Sequence, residues 1–182
     1  MADLIIKPSS GGSLKLQEDG GTDAISIDTE GVPKIKIHAF SAYNSVADCA
    51  IPNDTWTEAS ATGTWVENFD SLGHYASGRF TPTIQGIYLC GYSVVCGGID
   101  HNEQLRCAIR RNGVDTATNG YAFTYQRNPG TGSNYTIGLS GSAIIQLDTN
   151  DYVSLWAEHT EGGSQNLAIN ETQFWGTYIG TV

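Results

Sequence analysis

Two stretches decide the fold class: Ile87-Tyr-Leu-Cys-Gly-Tyr-Ser-Val-Val95 and Leu105-Arg-Cys-Ala-Ile-Arg110. In the second, Leu105, Cys107 and Ile109 point one way while Arg106 and Arg110 point the other. That period of two is the mark of a half-buried strand. The run ends at Arg111-Asn112-Gly113, and Asn-Gly accepts the positive φ of a tight hairpin. The first stretch is entered from Phe80-Thr-Pro-Thr-Ile84 through Gly86. Downstream, Ser140-Gly-Ser-Ala-Ile-Ile-Gln-Leu147 reads as a strand, Asp148-Thr-Asn-Asp151 as a polar turn and Tyr152-Val-Ser-Leu-Trp-Ala157 as the next strand. Gln165-Asn-Leu-Ala-Ile169 and Gln173-Phe-Trp-Gly-Thr-Tyr-Ile179 close the series. Turns recur at about ten-residue spacing and no window holds a 3.6-residue period, which specifies an all-β sandwich or jelly roll.

Upstream of residue 38 the pattern changes. Leu4-Ile5-Ile6-Lys7-Pro8, Ser13-Leu14-Lys15-Leu16-Gln17, Ala24-Ile25-Ser26-Ile27-Asp28 and Ile35-Lys36-Ile37 are very short alternating runs between Gly-rich turns. Each offers only two or three apolar side chains, too few to offset a backbone entropy of roughly 1–2 kcal/mol per residue. The regular alternation argues against disorder. Three chains wrapped around one axis would bury Leu14, Leu16, Ile25 and Ile27 together. The expectation is therefore a short intertwined β-stalk over 1–37 and one β domain over 38–182.

Composition narrows the function. A net charge of −10 repels nucleic-acid backbones, so no nucleic-acid partner is expected. No run approaches the roughly 20 apolar residues of a membrane helix, and residues 1–15 lack a signal-peptide pattern. No membrane insertion is expected, and the three sequons at Asn53, Asn134 and Asn170 read as chance matches. Cys49, Cys90, Cys96 and Cys107 form no C-x-x-C; they read as free buried thiols, a disulfide remaining open.

No catalytic pattern emerges. His38, His74, His101 and His159 are scattered, and H-E-x-x-H and G-x-S-x-G are absent. Glu67 and Asp70 are the nearest carboxylate pair, and they fall in a turn-like lead-in. Asp148, Asn150 and Asp151 offer oxygen ligands without the spacing of a calcium loop, so a polar turn is the better reading. Not an enzyme, no cofactor and no metal are the expectations. The segment Tyr121 to Tyr135 mixes Tyr, Arg, Asn, Ser and Gly, the residue types of recognition surfaces. Tyr125, Arg127, Asn134 and Tyr135 are its receptor-contact candidates. The alternative is a solvent loop in which Tyr121, Phe123 and Tyr125 share one face of a strand. Trp56, Trp65, Trp156 and Trp175 read as core or subunit-interface residues.

The ordered set Phe80-x-Pro82-x-x-x-Gly86-x-Tyr88, Arg111-Asn112-Gly113, Leu147-Asp148-x-Asn150-Asp151-x-Val153 and Phe174-x-Gly176 resembles the complement C1q-like and tumour-necrosis-factor-like jelly rolls over roughly residues 60–180. Asn150 stands where that family usually has Gly, and Asn also tolerates a left-handed turn. Trp65, Phe69-Asp70 and Tyr75 look like the lead-in of phage versions of this head. Ile6-Lys7-Pro8-x-x-Gly11-Gly12-Ser13-Leu14-Lys15-Leu16 is similar to stalk segments of phage tail fibres. The resemblance implies a ten-stranded jelly roll that trimerises, with Tyr88 and Trp175 among the residues at the subunit interface. It further implies a virion fibre or spike protein, made in the host cytoplasm, that joins other virion tail proteins and binds a host cell-surface glycan or protein. The alternative is a purely structural trimerisation module.

Overall fold

Alternating apolar residues punctuated by turn formers give antiparallel strands throughout the computed structural model, which describes residues 14–17, 23–27, 33–35, 37–114, 120–131 and 134–181. The chain divides into two compact units, Met1–Ile37 and His38–Val182. The Leu4–Pro8 run and the Gly-rich turns read in the first unit lie outside the described residues.

In the first unit β1 (Leu14–Gln17), β2 (Asp23–Ile27) and β3 (Pro33–Ile35) form an antiparallel sheet in chain order. Its register sets Leu14 opposite Ile27, Leu16 opposite Ile25, and Ile25 opposite Ile35. Each strand has an antiparallel neighbour within the chain, and β1 and β3 are the two edges of the sheet. Ile25 is exposed and Ile27 half-buried.

The second unit is a two-sheet sandwich. Its strands are β4 (Ala39–Asn44), β5 (Ala50–Ile51), β6 (Thr57–Glu58), β7 (Trp65–Asp70), β8 (Tyr75–Ala76), β9 (Arg79–Phe80), β10 (Gly86–Ile99), β11 (Gln104–Arg111), β12 (Tyr121–Arg127), β13 (Tyr135–Leu147), β14 (Val153–His159), β15 (Gln165–Asn166) and β16 (Gln173–Gly180). One sheet runs β13-β10-β16-β4-β7 and the other β12-β11-β14-β9-β8, with β6 added beside β14. The two paths carry the ten strands of a jelly roll, and β5 pairs with β15 at its side.

Between the sheets lie Phe40, Phe80, Tyr88, Phe174, Ile109, Ile145 and Leu155, all essentially inaccessible to water. Full burial of each such side chain contributes about 1.5–3 kcal/mol. Phe40 is the hub, with Phe80, Tyr75 and Phe174 at ring distances of 4.6, 4.9 and 4.9 Å. Tyr88 belongs to this core, its hydroxyl donating to the Ile84 carbonyl at 2.8 Å. Its expected place at a subunit interface is thereby corrected: a ring sealed between the sheets offers no surface to a partner. Tyr92 ties the sheets together. From β10 its hydroxyl donates to the Ala122 carbonyl at 2.6 Å and accepts from Thr124 Oγ1 at 2.7 Å, both on β12.

All four cysteines are free and buried, and burial pushes the thiols of Cys49, Cys90 and Cys96 up to about 12. Thiols held so firmly protonated are poor nucleophiles.

His38 opens the head. Its ring is buried, stacks on His74 at 5.0 Å and 11°, and meets Tyr178 at 6.3 Å. Burial, then the charge of His74, lowers its pKa below 6.5. The fold therefore prefers neutral His38: its stability is intact above pH 6.5 and is lost as pH falls through the lower folded value. The melting temperature of the full chain is expected to drop between about pH 7 and about pH 5, and His38→Gln to flatten that drop. Equal pH slopes in the two proteins would refute this.

Candidate functional site

The outer face of the β12-β11-β14 sheet carries an aromatic–cationic cluster. Alternation on β11 sets Gln104, Arg106, Ala108 and Arg110 on this face and Leu105, Cys107 and Ile109 in the core. Arg110 is nevertheless buried, contrary to the solvent position expected of it. Its guanidinium lies over the rings of Trp56 and Trp156, each at 4.5 Å. Guanidinium is weakly hydrated and planar, so two indole faces can cover it at modest cost.

Beside this clamp Trp56 meets Phe123 at 6.4 Å, and Phe123 stacks on Tyr125 at 6.1 Å and 27°. Trp56, Phe123 and Tyr125 with Gln104 and Arg106 line an open hollow of about 390 Å³. Arg106 is paired with Glu158 at 2.8 Å, so the hollow has polar donors but little uncompensated charge. Apolar rings edged by amide and guanidinium groups suit partners with both an apolar face and hydroxyl or carbonyl groups.

The expectation that Tyr121, Phe123 and Tyr125 share one face does not hold. Ala122 has φ 52°, and a bulge lies opposite between Cys107 and Ile109. The extra residue turns Tyr121 onto the core while Phe123 and Tyr125 face out.

The four receptor-contact candidates do not converge. Tyr125 is 63% exposed in the hollow, and Arg127, opposite Gln104, is exposed at the end of β12. Asn134 lies beyond the turn at φ 63°, its N–H donating to Asp100 Oδ1 at 3.0 Å. Tyr135 starts β13 opposite Ile99 in the other sheet. The intervening turn is held by Asn128, which donates to the Ile99 carbonyl and accepts from Gly130 N–H. Residues 132–133 of this segment lie outside the described residues. Trp56, which the sequence reading assigned to core or interface, is the residue it missed here.

The remaining chemical candidates have structural work. Asp70 caps its turn, accepting from Tyr75 N–H at 2.7 Å. Asp151 accepts from Asn112 Nδ2 at 2.6 Å and from Asp148 N–H at 3.0 Å. His159 bridges the Ile51 carbonyl and Glu161 N–H. Glu58 holds Arg79 through two hydrogen bonds of 2.8 and 2.7 Å. Burial alone would raise its pKa, but bonds from Arg79 and Ser154 keep the carboxyl below its ordinary value.

The outward face of the β13-β10-β16-β4-β7 sheet is open and carries large apolar side chains among small hydroxyl residues. Its register lines up Ser142, Gly91, Trp175, Ser41 and Phe69, and beside them Ile144, Leu89, Thr177 and Ala39. Ile144 is 65% exposed, Phe69 53%, Ile179 50% and Val66 41%. Trp175 lies across Gly91, where a Cβ would stand 2.2 Å from the ring. Only glycine lets the indole lie that close to the sheet.

No protein-family model matches the sequence, and no curated protein matches it either. Solved structures do match. Eiger TNF from S. frugiperda aligns with a TM-score of 0.59 at 11% identity, over 81% of this chain and 95% of its own. The globular domain of zebrafish complement 1qA aligns at 0.53 and 16% identity, over 79% and 96%. Murine APRIL aligns at 0.57 and 11%, over 79% and 100%. The fold is the C1q/TNF jelly roll. At such identities the likeness fixes architecture, not partners, and the C1q/TNF-like head carries its surface chemistry on its own residues.

Proposed function

We propose that this chain is the homotrimeric, receptor-binding tip of a bacteriophage tail fibre or spike, its jelly-roll head adsorbing to a cell-surface glycan or protein. The observation that carries the reading is the open outer face of the β13-β10-β16-β4-β7 sheet, on which Ile144, Phe69 and Val66 stand exposed. Exposed apolar patches of this kind mark interaction surfaces, and jelly rolls of this fold trimerise and bind receptors. With that face taken up between copies, the opposite sheet remains outward and presents the Trp56–Phe123–Tyr125 hollow. The Gly-Gly-punctuated short strands ahead of the head support the fibre reading and its joining to other tail proteins.

Labelled full-length protein applied to a panel of bacterial strains tests adsorption. Binding to a subset of strains is expected, and Tyr125→Ala with Trp56→Ala is expected to weaken it tenfold or more, as hot-spot aromatics do, with molar mass unchanged. Binding to no strain, or unaltered binding by the double variant, would remove the hollow as the receptor site.

A further inference from the structure

One polar side chain of the Trp56–Phe123–Tyr125 hollow is left without a partner. Gln104 opens β11, and its backbone is fixed on both sides. Its N–H donates to Thr160 Oγ1 at 3.1 Å, and its carbonyl accepts from Thr160 N–H at 3.1 Å. The side chain differs. Gln104 is 9% exposed, and its Oε1 and Nε2 atoms have no hydrogen-bond partner among the described residues. The amide is not shut in the core, because Gln104 lines the hollow beside the rings. A polar group this buried has little room for water, so a ligand that pairs it gains more than one that meets a freely hydrated amide.

The chemistry of the amide narrows the ligand. A primary amide sets N–H donors and a carbonyl acceptor side by side in one plane. Its full complement is another amide, which returns a carbonyl to Nε2 and an N–H to Oε1. A carboxylate would pair Nε2 and set its charge against Oε1. An ammonium group would pair Oε1 and face the Arg106 guanidinium, another wall of the hollow.

The rings decide which amide. Trp56 and Phe123 meet at 52° and 6.4 Å, and the Arg110 guanidinium holds Trp56 in place at 4.5 Å. Such an apolar corner suits the methyl end of an acetamido group, whereas a peptide amide continues as chain on both sides. Tyr125, 63% exposed and stacked with Phe123, offers a flat face for the apolar C–H side of a pyranose. Arg106 gives Glu158 one bond of 2.8 Å and keeps further N–H groups for ring hydroxyls. Arg127, exposed opposite Gln104, adds donors at the rim.

We infer that the hollow takes an N-acetylated hexosamine residue of a cell-surface glycan, with Gln104 selecting the acetamido group. The inference rests on the reading of this hollow as the receptor site. Gln104 Nε2 donates to the acetamido carbonyl, Oε1 accepts from its N–H, and the pyranose lies on Tyr125.

The test titrates the full-length protein with N-acetylglucosamine and N-acetylgalactosamine. Glucose and galactose lack the acetamido group, and N-acetylglycine N-methylamide is the peptide probe. The readout is the Trp56 indole N–H resonance, assigned by its loss in Trp56→Phe. A saturable shift with at least one N-acetylated sugar is expected, roughly tenfold tighter than the plain hexoses and the peptide probe, as two hydrogen bonds allow. Gln104→Met keeps the length of the side chain and removes both polar atoms. It is expected to bring the N-acetylated sugar down to the level of glucose, leave glucose itself unaltered, and hold or raise the melting temperature. Tyr125→Ala, at an exposed position, is expected to weaken every sugar roughly tenfold, and it keeps the test decisive should Gln104→Met not fold. No shift with either N-acetylated sugar, equal affinity for glucose or galactose, or an equally tight peptide probe would overturn the inference. So would an undiminished acetamido preference in Gln104→Met or unchanged affinity in Tyr125→Ala. Sugar binding without adsorption to any strain would uphold the subsite and remove the phage reading alone. Adsorption lost in the Trp56 and Tyr125 double variant, with no sugar bound by the parent, would uphold the receptor site and overturn the sugar.

Discussion

Phe40→Ala is expected to destabilise the head by about 3–5 kcal/mol, the range for deleting a fully buried aromatic ring. Phe40 is 1% exposed and touches both sheets. It stacks on Tyr75 and Phe80 within 17° and takes Phe174 edge-on. Its ring also covers Gly176, where a Cβ would stand 2.8 Å away. Removing it opens a cavity that neighbouring rings, fixed by their own strands, cannot fill by small shifts. Against a total stability of about 5–15 kcal/mol this is a large share. The melting temperature should fall by roughly 6–20 °C at about 2–4 °C per kcal/mol. Near-ultraviolet circular dichroism on heating reads it directly. Tyr125→Ala removes another aromatic ring from a 63% exposed site and should stay within about 0.5 kcal/mol of the parent. Equal melting of the two variants would mean that the Phe40 cluster is not the centre of the core.

Much of the fold was legible because local pattern and tertiary role agree. β11 reads as a strand from Leu105, Cys107 and Ile109 alone, and those three residues are buried. β4 escaped notice because its inward residues are Phe40, Ala42 and Asn44, and a buried Asn breaks the apolar pattern. The Asn44 Nδ2 donates to the Leu167 carbonyl, far along the chain, a contact no local window reveals. The bulge at Ala122 was equally hidden, since a non-glycine residue at positive φ leaves no compositional mark. Alternation set Arg110 on the outer face correctly and still missed its burial, because its cover comes from Trp156 on β14 and from Trp56 in the irregular segment before β6.

The candidate sites were less legible, for the same physical reason. Tyr125 could be picked as an exposed aromatic among polar residues. Its partner Trp56 lies in an irregular segment with no periodicity to aim it. Tyr75 could be seen as part of a lead-in, but that its hydroxyl is buried without a partner among the described residues emerges only when the sandwich closes over it. Sites of this kind are assembled by loops and strand ends meeting across the sandwich, whereas periodicity reports only one strand's two faces.

Ile144→Asp is expected to convert a trimer into monomers. In the parent, light scattering should give about three times 19.5 kDa. Ile144 stands opposite Leu89 on the open face and is 65% exposed in a single copy. A contact between copies would bury most of that side chain, about 1.5–3 kcal/mol in each subunit. An unpaired carboxylate in its place costs far more, since an ion desolvated without a partner loses several kcal/mol. The penalty recurs at every subunit contact around a closed ring, so dissociation should be complete at micromolar concentration. Within one copy the same change touches little. The isolated head should lose no more than about 1 kcal/mol, the span of β-propensity at an exposed strand position. Val114→Asp supplies the control. Val114 is 62% exposed beside Arg111 in the turn after β11, on the other sheet. It should leave the threefold mass intact. A threefold mass that survives Ile144→Asp would move the contact off this face. A monomeric parent would remove the trimer altogether and leave the apolar sheet to a different protein partner.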